Sequence, residues 1–94
     1  MDLGLKGRNA VVLGGTRGIG RAIAETLAGE GAGVAICARD AGAVASTVAE
    51  LKAKGVRATG AAVDITDGTA LKSWISAAAS ELGGIDMLLS LIHI

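Results

Sequence analysis

Two rhythms of apolar positions run through this chain. Residues 8–13 end in the aliphatic run Val11-Val12-Leu13, the pattern of a parallel strand covered on both faces. From 18 to 30, Ile19, Ile23 and Leu27 return every four positions, which places them on one helical face, and Gly29, Gly31 and Gly33 supply a stop. Residues 34–38 form a second apolar run. Residues 41–54 then carry Val44, Val48 and Leu51 at helical spacing, up to Gly55. A third, less regular strand is expected over 56–63. After Asp64-Ile65-Thr66-Asp67, with Thr66 or Asp67 placed to cap, the spacing predicts a helix whose buried face is Leu71, Trp74, Ile75, Ala78 and Leu82. Gly83-Gly84 ends it, and residues 85–89 begin a fourth strand. The predicted order is β-α-β-α-β-α-β, an α/β chain. Its connections are too short for anything but right-handed crossovers and a parallel sheet.

Composition narrows the kind of partner. A chain of 94 residues is at most one small domain, and its nine basic and nine acidic side chains cancel. Nothing in that balance points to nucleic acid or an anionic membrane, so a small molecule is the expected ligand. No apolar stretch approaches the ~20 residues of a membrane span. The N-terminus, with Asp2 and alternating Gly, lacks the layout of a signal peptide, and a cytoplasmic location is expected. Cys37 is the single cysteine, so no internal disulfide forms; its place in an apolar run reads as a buried thiol rather than a nucleophile. No residue cluster implies a metal. The absence of Pro, Phe and Tyr is unusual for a complete domain.

The candidate chemistry starts at Gly14-Gly15-Thr16-Arg17-Gly18-Ile19-Gly20, between the first strand and the first helix. Such a loop meets three needs of a nucleotide site: a tight turn off the strand, a backbone without Cβ where a pyrophosphate approaches, and a small residue where helix packs on sheet. The first amides of the helix then face the phosphates, and its dipole favours their charge. The spacing is G-x-x-x-G-x-G, not the common G-x-G-x-x-G. A P-loop can be laid over residues 15–22, but Arg21 and Ala22 stand where the phosphate-reaching Lys and the magnesium-binding hydroxyl belong, which argues against kinase or ATPase chemistry. A glycine-rich turn without a ligand is the alternative.

With Arg17-Gly18-Ile19-Gly20-Arg21-Ala22-Ile23-Ala24, the loop resembles the cofactor loop of the short-chain dehydrogenase/reductase family, although Leu13 stands where the family usually has Thr. The resemblance covers about residues 5–88. It implies the N-terminal half of a Rossmann-type, doubly wound parallel sheet, with 1–88 as the N-terminal part of an NAD(P)-binding domain. Gly14, Thr16, Arg17, Gly18, Ile19 and Gly20 are then expected to bind the cofactor.

A second position lies at the end of the second strand, where an acidic residue commonly accepts the adenosine ribose hydroxyls of NAD. Here the chain reads Cys37-Ala38-Arg39. Ala38 removes the repulsion an acid would exert on the 2′-phosphate of NADP, and Arg39 offers a guanidinium that can fork onto it. Arg17 can converge from the loop. This pairing looks like the NADP-preferring members of the family, and NADP rather than NAD is the expected cofactor. The alternative for Arg39 is a solvated surface side chain beside Asp40. Asp64 resembles the family's Asp that accepts from the adenine amino group, with Ile65 packing nearby; as a residue type it fits a turn or helix cap equally well. Trp74, at helical spacing with Leu71, Ile75 and Ala78, reads as core rather than as a stacking platform.

The resemblance stops near Leu88. The chain continues Leu89-Ser90-Leu91-Ile92-His93-Ile94, where the family has an Asn-Asn-Ala-Gly-like segment. One reverse translation of these residues, CTG TCT CTT ATA CAC ATC, matches the transposon end used as a sequencing-library adapter. Residues 89–94 are therefore expected to be non-native, with Leu89 and Ser90 also readable as native strand. His93 lacks a positioned partner in the sequence and is not expected to be a catalytic base.

The family's Ser and Tyr-x-x-x-Lys lie beyond this point, and the chain contains no Tyr. By resemblance, the whole enzyme is an NADP-dependent oxidoreductase, homo-oligomeric, that moves hydride between nicotinamide and a carbonyl or secondary alcohol. These 94 residues alone are expected to be inactive. A non-catalytic dinucleotide-binding module or sensor is the alternative.

Overall fold

The predicted alternation is realised as β1 (Asn9–Leu13), α1 (Gly18–Gly29), β2 (Gly33–Ala38), α2 (Ala41–Lys52), β3 (Ala58–Ala62), α3 (Gly68–Leu82) and β4 (Met87–Ser90). The computed structural model describes residues 6–14 and 18–90. All strand pairs are parallel, in the order β3-β2-β1-β4. Val12 in β1 stands opposite Ile36 of β2 on one side and Leu89 of β4 on the other. The chain thus builds outward to β3 and then returns past β1 to place β4. That reversal is the topological switch of a Rossmann-type, doubly wound sheet.

Successive strand residues face opposite sides of the sheet, so each strand feeds two cores. On one side, Ala10, Val12, Val34, Ile36 and Ala58 pack against Ala24, Leu27 and Ala28 of α1 and Val44 and Leu51 of α2. On the other, Val11, Leu13, Ala35 and Cys37 pack against Trp74, Ala78 and Leu82 of α3. Val11, Val12, Val34, Ile36 and Leu51 are fully buried. Each such side chain contributes about 1.5–3 kcal/mol relative to exposure. Trp74 is therefore a core residue, as its spacing predicts.

The helical faces differ in part from expectation. The stripe Ile19, Ile23, Leu27 does not bury as a unit: Leu27 is buried and Ile23 half-buried, but Ile19 is 74% exposed. The contact face of α1 is instead Gly20, Ala24, Leu27 and Ala28. Small residues dominate this contact face, and Ile19, on the first turn, is left outside it. In α2, Thr47 shares the buried face with Val44 and Leu51 while Val48 is half-buried. Thr47 is accommodated because its Oγ1 donates to Ala43 O one turn back, at 2.8 Å. Close approach continues at Gly60 of β3, where a Cβ would fall 2.7 Å from Val44 Cγ1 and 2.8 Å from Val48 Cγ2. A larger residue there would force Val44 and Val48 of α2 to move.

Element ends shift by a few residues from the sequence reading. α2 stops at Lys52, and residues 53–55 unwind as a turn with Gly55 at φ +86°. β3 is confined to Ala58–Ala62 and β4 starts at Met87 rather than Ile85. Its start is set by Asp86, whose amide donates to Asn9 O at 2.9 Å and whose carboxylate accepts from Asn9 N at 2.8 Å. α3 opens on Asp67, which accepts from Ala70 N at 3.1 Å, and closes on Gly83 in the left-handed region. Of the two cap candidates, Asp67 is the one used. Leu89 and Ser90 pair with Val12 and Leu13 as part of β4.

Candidate functional site

The C-terminal ends of β1, β2 and β3 converge on one edge of the sheet, and each delivers a different feature. β1 delivers the glycine turn. Gly14 follows the buried Leu13 with φ +85°, and its amide donates to Cys37 O at 2.8 Å, which ties the start of the loop to the end of β2. Gly18 opens α1 with φ +52°. Both values lie in the left-handed region that costs a residue with a Cβ about 1–2 kcal/mol. Among the described residues a Cβ at Gly18 would meet nothing within 4 Å, so it is the backbone conformation that favours glycine there. Gly18 begins the first turn of α1, whose leading amides have no acceptor within the helix. The turn carries no acidic residue. Gly20 is buried in α1. Thr16 and Arg17, expected to line the loop, lie outside the described residues, as does His93.

Arg21 has another task. Its guanidinium pairs with Glu25 on its own helix at 3.3 Å and with Glu50 on α2, which clamps the two helices together. It does not stand in for a phosphate-reaching lysine.

β2 delivers Arg39. Ala38, half-buried, leaves the strand end without an acid, and Asp40 is spent on the α2 cap, accepting from Gly42 N at 2.9 Å and Ala43 N at 3.2 Å. Arg39 turns instead to β3's exit. Its Nη2 donates to Asp64 Oδ1 at 3.3 Å, and both side chains are largely solvent-exposed. Asp64 Oδ1 also accepts from Thr66 Oγ1 at 2.6 Å and Thr66 N at 2.9 Å, an Asx-type turn. The two Thr66 donors, and after them the Arg39 guanidinium, hold the Asp64 carboxyl below its ordinary range. Ile65 is half-buried against the cluster that contains Trp74. Burial pushes the Cys37 thiol up, the Gly14 amide offsetting this in part, so a fully enclosed Cys37 is a core residue.

The sequence reading found Arg39 and Asp64 as separate contacts; their pairing, and the bracing of Asp64 by Thr66, were missed. The Asp-x-Thr spacing could have signalled the brace, since it is the local pattern of an Asx turn.

A cavity of about 420 Å³ lies at the opposite end of the strands, lined by Lys6, Arg8, Asn9 and Arg57 among others. Three of its polar side chains are engaged with the protein itself. Asn9 Nδ2 and Arg57 Nη1 donate to Leu82 O at 3.0 and 3.3 Å, at the C-terminus of α3, and Arg8 pairs with Asp86 at 3.4 Å. A cation at a helix C-terminus is what the dipole favours, and Arg57 is placed to supply it to α3. Among the described residues, no helix is long and apolar enough to cross a membrane, and no cluster of His, Cys, Asp or Glu could hold a metal ion.

A doubly wound parallel sheet with its order reversing at β1 is the Rossmann-type architecture, and the glycine turn, Arg39 and Asp64 stand at the C-terminal edge of its strands. The chain belongs to the short-chain dehydrogenase/reductase family: the family model for short chain dehydrogenase matches residues 8–90. A short chain dehydrogenase of Pseudocercospora fijiensis is 41% identical over 90 residues, covering 96% of this chain and 29% of its own. The L-sorbose reductase of Gluconobacter frateurii, solved with NADPH and L-sorbose, superposes with a TM-score of 0.87 at 38% identity, covering 94% of this chain and 34% of that one. A NAD⁺-bound xylitol dehydrogenase superposes with a TM-score of 0.85 at 30% identity, covering 89% of this chain and 32% of that one. The chain thus spans about a third of the length of these relatives.

Proposed function

We propose that this chain is the cofactor-binding half of an NADP-dependent short-chain oxidoreductase, with residues 1–88 forming the N-terminal part of its NAD(P)-binding domain. The observation that carries the reading is the meeting, at one sheet edge, of an open left-handed turn at Gly14 and Gly18 with the exposed guanidinium of Arg39. A pyrophosphate fits the first feature. It approaches where a Cβ at Gly18 would meet nothing within 4 Å among the described residues beyond its immediate surroundings in the chain, and it accepts from the leading amides of α1. Ile19, exposed on that turn, offers an apolar surface beside it. A 2′-phosphate fits the second, because Ala38 brings no negative charge and Arg39 presents several donors in a planar fork. Arg17 joins Arg39 in this reading, and Asp64, with Ile65 beside it, takes the adenine amino group. The nicotinamide cofactor, when bound, would donate or accept the hydride; the residues of this half bind and orient it.

The substrate of the whole protein, in this reading, is a small carbonyl compound or secondary alcohol. The relatives crystallised with a ketose and with NAD⁺ or NADPH support that class. Calorimetric titration of the full-length protein with NADP⁺ and NAD⁺ tests the cofactor assignment. Tighter binding of NADP⁺, reduced by Arg39→Ala, is expected; equal affinities that do not respond to Arg39→Ala would exclude it.

A further inference from the structure

We infer that Asp64 is a specificity-determining residue that weakens the discrimination of Arg39 for a 2′-phosphorylated cofactor. The inference rests on the cofactor site proposed above. Arg39 is the only side chain given a 2′-phosphate role on the β2 side, and Asp64 Oδ1 lies 3.3 Å from its Nη2. An anion that accepts from the same guanidinium therefore comes within one side-chain width of a carboxylate. Two consequences follow from Coulomb's law alone. The carboxylate competes for the donors of Arg39, and it repels the incoming phosphate.

The competitor is fixed in place. Thr66 N and Thr66 Oγ1 both donate to the oxygen that Arg39 contacts, at 2.9 and 2.6 Å, so the carboxylate cannot rotate away without giving up two hydrogen bonds. Arg39, by contrast, holds Asp64 through one nitrogen at an exposed position, a contact weak enough to yield to a phosphate. Negative charge is thus built into the mouth of a site whose preference depends on negative charge in the ligand. The expected result is a protein that prefers NADP but still accepts NAD, because part of the gain from the 2′-phosphate is cancelled by Asp64.

The test is the ratio of NAD⁺ to NADP⁺ dissociation constants in the full-length protein and its Asp64→Asn variant. Asn keeps an acceptor for Thr66 and for an adenine amino group but removes the charge. The ratio is expected to move further toward NADP⁺ by about three- to tenfold, the effect of one unit charge a few ångströms away in a high-dielectric setting. The difference between the two proteins should shrink as ionic strength rises from ~20 mM to ~500 mM, because exposed charges are then screened. A purely structural role for Asp64 would move both affinities together and would not respond to salt in this way. Asp64→Ser provides the same reading should the amide variant fold poorly. An unchanged ratio, or one shifted toward NAD⁺, overturns the inference while leaving the cofactor site intact. Failure of the unsubstituted protein to bind either nucleotide overturns both.

Discussion

β2 and β4 run alongside the same strand in the same direction, and both are short apolar segments, yet they lie in different surroundings. β2 is held between β1 and β3, packs α1 and α2 on one face and α3 on the other, and all its residues but Ala38 are buried. β4 pairs with β1 alone. Met87 and Leu89 reach the α1 side, but the face bearing Leu88 and Ser90 is open, with Leu88 56% exposed. Strand identity is therefore written locally, whereas strand burial depends on what the rest of the chain brings to both faces. The candidate site follows the same division. Its described residues belong to the closed side: Gly14 is tied to Cys37 of β2, and Arg39 and Asp64 leave β2 and β3.

The sharpest way to break the contrast is to express these 94 residues alone. With the β4 edge unpaired in addition to that of β3, and the Leu88 face uncovered, the chain is expected to aggregate or to lack a cooperative thermal transition. It is also expected to reduce no carbonyl compound with NADPH. A soluble monomer melting cooperatively would show that the β2 side is sufficient and the open edge harmless.

Within the full-length protein, Ile36→Ala on β2 should lower stability by about 2–5 kcal/mol, since the cavity opens where sheet, α1 and α2 meet. Urea denaturation measures it; a loss below about 1 kcal/mol would mean the closed side can collapse around the void. Gly18→Val should weaken NADP⁺ binding at least about 100-fold, because a β-branched residue at φ +52° is strained and its side chain enters the space proposed for the pyrophosphate. Near-native affinity in a folded variant would place the phosphate site elsewhere. Arg39→Asp combined with Arg17→Ser should reduce the NADP⁺ preference by about tenfold or more, removing two phosphate partners and adding a repulsive carboxylate. An unchanged preference would sink the role of these arginines.

The smallest expected effect concerns acid. The Asp64 carboxyl is held below its ordinary range by Thr66 first and Arg39 after it. A depressed folded-state value contributes stability above the unfolded value, and that contribution is lost as pH falls through the folded one. Unsubstituted protein should therefore lose slightly more stability than Asp64→Asn on acidification below the ordinary Asp range. Parallel curves for the two proteins would contradict the bracing by Thr66.

How legible was this in the sequence? The order of elements was, because aliphatic runs, four-residue spacing and terminal glycines are local signals. So were the glycine turn and Arg39, which rest on residue type at a strand end. The four-residue spacing of Ile19, Ile23 and Leu27 marks a shared helical face but not the depth of each residue on it: Leu27 is enclosed and Ile19 exposed. Thr47 escaped notice because a threonine can bury once its hydroxyl finds the carbonyl one turn back. The Arg39–Asp64 pair could not be read at all: it joins the ends of two strands across α2, and sequence carries no measure of that distance.

The strand order also has a consequence in time. Closing β1 onto β2 spans only the glycine turn and α1, while closing β1 onto β4 spans everything between, roughly three times the chain and about 1 kcal/mol more in loop entropy. During synthesis, β1, β2 and β3 with α1 and α2 all leave the ribosome before Asp86 can engage Asn9. The layer bearing Gly14, Arg39 and Asp64 can thus assemble first, and β4 is the late arrival that must find a waiting edge.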